Sequence, residues 1–193
     1  MAETCDYALA QDISVSCEKP QKTGMMNKGY LVNFDDVDWA TLVQTENIVS
    51  KLALLQGRAY EVVVPGKTPF TGTQTALVVG TYLNKFTKTV SIVVLNSGPD
   101  VSKNVIDQLA NGRFIFIGEN KYKGTDDKNT FEIFGLEQGL TASEMTNDKY
   151  SEDTEGGWAV TLTEENAPSS GIFFFSESVA ATRVALASLV KGS

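Results

Sequence analysis

Thr89 to Phe134 reads as strand, helix, strand, strand, and the rest of the chain is explained most simply as additions on either side of it. Thr89-Val90-Ser91-Ile92-Val93-Val94-Leu95 is β-branched and apolar, Ser97-Gly98-Pro99-Asp100 stops it, and Val101, Val105, Ile106 and Leu109 recur at helical spacing up to Ala110. Asp100 or Ser102 can accept the free amide protons of the first turn, and Gly112 can take the left-handed conformation that closes the last. Two more strands follow, Arg113-Phe114-Ile115-Phe116-Ile117 and Thr130-Phe131-Glu132-Ile133-Phe134, separated by a polar loop. A strand feeding a helix is where many phosphate sites lie, but here the turn contains Pro99, which lacks an amide, and Asp100, which repels an anion. With no catalytic group inside it, the unit is a scaffold: a sheet with its packing helix.

The chain has 193 residues, 42% of them hydrophobic and 21% charged, enough for one substantial core. Its net charge of -8 sits in one place. Glu119 to Glu165 holds 12 acidic and 4 basic residues, and the remainder holds 12 of each. No basic stripe suited to neutralising phosphates exists, which excludes a sequence-reading nucleic-acid binder. Cys5 and Cys17 can pair only if the fold brings them within reach, and two free thiols in a reducing compartment is the simpler reading. Met1 to Ala10 lacks the apolar run of a signal peptide, and no stretch approaches the roughly 20 apolar residues of a membrane span. The expected site of synthesis and folding is a cytoplasm, with no membrane partner.

Residues 1–28 are polar and read as an extended N-terminal arm, with residues 29–193 forming a single β-rich domain that carries an acidic excursion at 119–165. The first firm strand is Tyr30-Leu31-Val32-Asn33-Phe34. Asp35, Asp36 and Asp38 follow in a turn that lacks the Gly and distal Glu of a calcium loop, so a solvated acidic turn is expected. Asn47 to Leu55, the turn Gln56-Gly57-Arg58 and Ala59 to Val64 suggest a β-hairpin. Pro65 to Thr73 reads as a connecting loop and Gln74 to Leu83 as a strand. Gly135 to Gly139 opens the long acidic excursion, ended by Gly156-Gly157; Trp158 to Thr163 is then a strand with alternating faces. Ile172-Phe173-Phe174-Phe175 is a strand buried on both faces or covered by a partner subunit. Ser178 to Val190 is a short amphipathic helix capped by Ser176 or Ser178, with Val179, Val184, Leu186 and Leu189 on its apolar face.

Chemistry is hard to place. The chain has no histidine, which removes Ser-His-Asp and Cys-His arrangements and the commonest metal ligand together. Gly66-Lys67-Thr68 follows a strand as in a phosphate-binding loop, but Glu61 stands where that loop needs glycine and Pro65 removes a cradling amide. Glu164-Glu165 near Trp158 is the best pair for two-carboxylate chemistry, yet adjacent residues point apart and a solvated strand end explains them. No catalytic, cofactor-binding or metal residue is assigned, and no cofactor is expected.

Three pieces of the chain resemble the tail tube and related ring-forming virion proteins of tailed bacteriophages. They are Cys17-Glu18-Lys19-Pro20 leading into Gly29 to Phe34; the helix with Arg113 to Ile117, the hairpin tip and Phe131 to Leu140; and Gly156-Gly157-Trp158 to Glu165. The resemblance implies an α+β, mainly antiparallel β fold: a β-sandwich or partly closed barrel with one flanking helix and a short C-terminal helix. It implies a non-enzymatic subunit of the virion, made in the host cytoplasm, whose partners are itself, in stacked rings usually of six, other tail proteins, and DNA as passing cargo. In that family the lumen is typically acidic, and the segment 119–165 could supply that lining or an outward surface. Two further readings are another virion component, such as a neck or head decoration protein, and a carbohydrate-binding β-sandwich using Trp39, Trp158 and nearby acids.

Overall fold

A computed structural model describes residues 8–14 and 16–192 and builds them into three layers. A four-stranded antiparallel sheet packs on one face of a seven-stranded, mainly antiparallel sheet, and the C-terminal helix packs on the other. The large sheet has the order β2-β3-β11-β8-β7-β1-β4, with β1 Met25–Asn33, β2 Val43–Thr45, β3 Ile48–Lys51, β4 Tyr60–Val63, β7 Phe114–Asn120, β8 Phe131–Phe134 and β11 Ile172–Phe174. The small sheet runs β5-β6-β10-β9, with β5 Phe70–Val78, β6 Lys85–Val94, β9 Thr141–Asn147 and β10 Trp158–Ala167. The mainly antiparallel α+β sandwich expected from the sequence is the fold found.

The apolar pattern explains the layering. In β7 consecutive residues Phe114, Ile115, Phe116 and Ile117 are all buried, as a strand covered on both faces requires. Phe114 and Phe116 meet Val90, Ile92, Val160 and Leu162 of the small sheet, while Ile115 and Ile117 meet Ile133, Phe174, Leu186 and Leu189 on the helix side. β11 is fully enclosed at Ile172 and Phe174, and it pairs β8 antiparallel and β3 parallel.

Several local expectations change. The stretch 89–134 is not one sheet with its helix: β6 belongs to the small sheet and β7 and β8 to the large one. The helix between them, Pro99–Val101, a π-turn at Ser102–Ile106 and Asp107–Asn111, carries the chain from one sheet to the other, with Leu109 packed in the core between them. Neither Asp100 nor Ser102 caps it; Gly98 holds the cap position at φ 128°. Gly112 is extended, φ -89°, and its missing Cβ is required because one would sit 2.4 Å from the Phe114 ring.

The expected hairpin across Gly57 does not form. β3 pairs β2 and β11, whereas β4 pairs β1 at the opposite edge of the sheet. Leu52 and Ala59 are drawn into the core under the C-terminal helix, where the Ala59 amide donates to the Leu189 carbonyl at 2.8 Å, so the connecting segment is tied to the helix instead of closing on itself. β1 begins at Met25, four residues inside the presumed arm, and β5 begins at Phe70, inside the presumed 65–73 loop. The excursion after Gly135 is partly ordered into the sheet: Leu136 and Leu140 are buried and β9 forms an edge strand.

The C-terminal helix, Val179–Lys191, is capped by Ser178, whose hydroxyl accepts the Ala181 amide. It buries Thr182, Leu186 and Leu189, while Val184 points outward at 70% exposure, against the apolar face read from spacing. Cys17 is exposed, and Cys5 lies outside the described residues, as does any test of their pairing. No helix among the described residues is long and apolar enough to cross a membrane.

Candidate assembly interface

The small sheet has one face in the core and one open to solvent. Cross-strand register places Ser91 opposite Thr161, Thr89 opposite Thr163 and Gln74 opposite Thr89 on the open face. Hydroxyls pair across it, Ser91 Oγ to Thr161 Oγ1 at 3.2 Å and Ser143 Oγ to Thr163 Oγ1 at 2.7 Å. Ala76, Thr87, Ala159 and Thr141 extend the same surface. Such short polar side chains solvate the sheet and leave it few charges, the carboxylates Glu144 and Glu165 and, at the start of β6, Lys85.

Among the described residues both edges of this sheet lack a strand partner, and they differ in character. β5 lies in residues 62–99, which contain Lys67, Lys85 and Lys88 and no acidic residue. Its hairpin with β6 ends in exposed apolar side chains: Leu77, Val79, Tyr82 and Leu83 are 57%, 80%, 95% and 63% exposed. At the other edge, β9 and the loop after it carry Glu144, Asp148, Glu152, Asp153 and Glu155 against Lys149. Three antiparallel pairings separate β5 from β9, so the two edges run in opposite directions. An unpaired row of backbone groups is a template for another strand.

Beneath the open face lies a polar cluster that the sequence reading missed. Glu164 is fully buried, not a solvated strand end. Its carboxylate accepts the amides of Gly135 at 3.0 Å, Glu137 at 3.0 Å and Gln138 at 2.7 Å, and stands 3.8 Å from the equally buried Lys88 ammonium. Lys88 in turn bonds Glu137 at 3.3 Å. A buried carboxylate needs such donors, and these clamp the β8–β9 connection, which crosses between the sheets, onto β10. The one sequence signal for it was Lys88 at an inward position of an otherwise apolar alternation in β6. Glu165, its neighbour, is exposed, so the two acids do not form a pair.

Glu132 of β8 is also largely enclosed. Burial pushes its carboxyl above the usual carboxylate range, opposed by the Asn120 amide at 3.1 Å and by the charge of Lys88. It borders a cleft of about 320 Å³ with Met25, Thr73, Tyr122 and Phe173.

The other positions singled out in the sequence are dispersed. Trp39 rests on Phe34, ring centroids 4.9 Å apart, beside the helix-side core, whereas Trp158 packs into the core between the sheets. Gly66-Lys67-Thr68 sits in a turn between β4 and β5 and leads into a strand, with the Lys67 ammonium 3.3 Å from Glu155. Asp35 pairs with Arg113 at 2.7 Å, Asp36 accepts from Asn33, and Asp38 accepts from Thr41. Among the described residues no group of three or more His, Cys, Asp and Glu is placed to hold a metal ion. Comparison of the chain with protein-family models, with curated proteins and with solved structures returned no match.

Proposed function

We propose that this chain is a non-enzymatic structural subunit of a tailed-phage virion, most simply a tail tube or tail-like ring protein. Copies join head to tail into rings, six in the resembling family, that stack into a conduit for DNA.

The observation that carries this reading is the pair of unlike, oppositely directed edges of the small sheet. Rotation about a ring axis preserves strand direction, so β5 of one copy beside β9 of the next makes an antiparallel pair, and the sheet continues across the junction. An acid-free edge meets an acidic one, which favours this pairing over either edge with itself. The hydroxyl face then lines the conduit, where it offers phosphates no cation cluster to grip. The apolar hairpin tip, too exposed for a solitary domain, is free to be covered by a neighbour.

Analytical ultracentrifugation and negative-stain microscopy across a wide concentration range test the proposal. Rings or tubes are expected at high concentration. Val79→Asp with Leu83→Asp leaves the fold intact and shifts the population to monomer. A strictly monomeric wild-type protein at every concentration would sink the reading.

A further inference from the structure

The residues just inside the N-terminus and the β7–β8 tip form a cleft of about 290 Å³ whose rim is basic, an exception on a chain of net charge -8. Lys19, Lys22, Lys121 and Lys123 line it against Glu18 and Asp127. Lys19 is spent on the Thr125 carbonyl at 2.8 Å and Lys123 on Glu119 at 3.2 Å. Lys22 and Lys121 are exposed and make no ion pair among the described residues. Lys22 also borders the adjoining cleft lined by Thr73, which places that side of the lysine rim next to the first half of β5.

The opposite edge supplies a matching surplus. Asp148, Glu152 and Asp153, in the loop leaving β9, are exposed and likewise without an ion pair among the described residues. Asn147, where the loop starts, is level with Trp158 and Val94, two residues beyond the Ile92 that pairs with Phe70 at the start of β5. A β9 strand laid against a neighbour's β5 therefore delivers its acidic loop to the end of β5 beside which the lysines lie.

We propose that the acidic loop 148–155 of one copy docks into the lysine-rimmed cleft of the next, locking the ring junction electrostatically. The inference rests on the head-to-tail reading above. Unmatched charges on both surfaces select the partner: a second copy carries the complementary loop at the right height, whereas Glu18 and Asp127 in the same cleft disfavour a polyphosphate.

The test is the concentration for half-assembly of wild type, Lys22→Glu/Lys121→Glu, Glu152→Lys/Asp153→Lys, and all four changes in one chain, each checked for an unchanged urea midpoint. Either pair alone is expected to raise that concentration by about tenfold or more, and the fourfold variant to recover most of it. Carbodiimide coupling in a mixture of isotopically light and heavy wild-type chains should link Lys22 or Lys121 to the loop between light and heavy peptides. Rings that form equally well in all four proteins, with no mixed-label link, would overturn the lock while leaving ring formation standing. Wild type that never assembles would overturn both. Duplex DNA retarded by the wild type and not by Lys22→Glu/Lys121→Glu, with assembly unchanged, would give the cleft to nucleic acid and overturn the lock.

Discussion

Replacing Glu164 by alanine tests whether the buried cluster holds the two sheets together. Three backbone amides, of Gly135, Glu137 and Gln138, lose their acceptor, and Lys88 keeps only Glu137. Stranded buried donors cost about 1–3 kcal/mol each at worst, and breaking a buried pair by removing one partner costs about 3–5 kcal/mol in all. Taking about 4 kcal/mol and a urea slope of about 2–3 kcal/mol per molar, the midpoint falls by about 1.3–2 M. Glu164→Gln should cost less, about 1–3 kcal/mol, since one oxygen still serves Glu137 and Gln138 while the new NH₂ opposes the Gly135 amide. Adding Lys88→Met to Glu164→Ala should change little further, because both act on one cluster. Equilibrium urea unfolding followed by Trp158 and Trp39 fluorescence reads all of these. A Glu164→Ala loss below about 1 kcal/mol, or losses that simply add, would refute the clamp.

Glu132 makes stability depend on pH in a known sense. Its folded carboxyl titrates above the unfolded one, so its contribution is complete below the usual carboxylate range and is lost as pH rises through the raised value. Wild type should therefore lose stability relative to Glu132→Gln across that window, and parallel pH profiles for the two proteins would contradict this. Gly29→Ala places a methyl 2.6 Å from the Phe116 ring and 2.8 Å from Phe70, between the sheets. Urea unfolding should show a loss of about 1–3 kcal/mol, and a change under about 0.5 kcal/mol would mean the rings yield freely. On the C-terminal helix, Val184→Ser should stay within about 0.5 kcal/mol of wild type while Leu186→Ala costs about 2–5 kcal/mol; the reverse order in thermal melts would show the helix is rotated.

Much of the fold was legible because local patterns and burial agreed. The run from Arg113 to Ile117 announced a strand, the polar loop from Glu119 to Asn129 announced a hairpin tip, and Ser176 or Ser178 announced a helix start; strand and hairpin stand, and Ser178 is the residue that caps. Pattern misled where it left the partner undetermined. Alternation in 47–64 fits any half-buried strand, and which strand each half joins depends on what the C-terminal helix covers. Val184 met the apolar spacing, but the helix face was chosen by the sheet beneath it. The interface candidates were hidden for a related reason: an edge is a property of sheet order, so β5 and β9 became distinguishable only once β6 and β10 lay between them.

The sequence by itself determined the β-rich class, most strand positions, the absence of histidine chemistry, and the concentration of all net charge in 119–165. These depend on residue type and short-range period, which need no partner. Only the tertiary structure decided that the helix after Gly98 bridges two sheets and that Glu164 is a buried clamp. A carboxylate at a strand end is solvated or enclosed according to what crosses over it. Here the loop Gly135 to Gln138, nearly 30 residues earlier, arrives with three amides aimed at the same two oxygens.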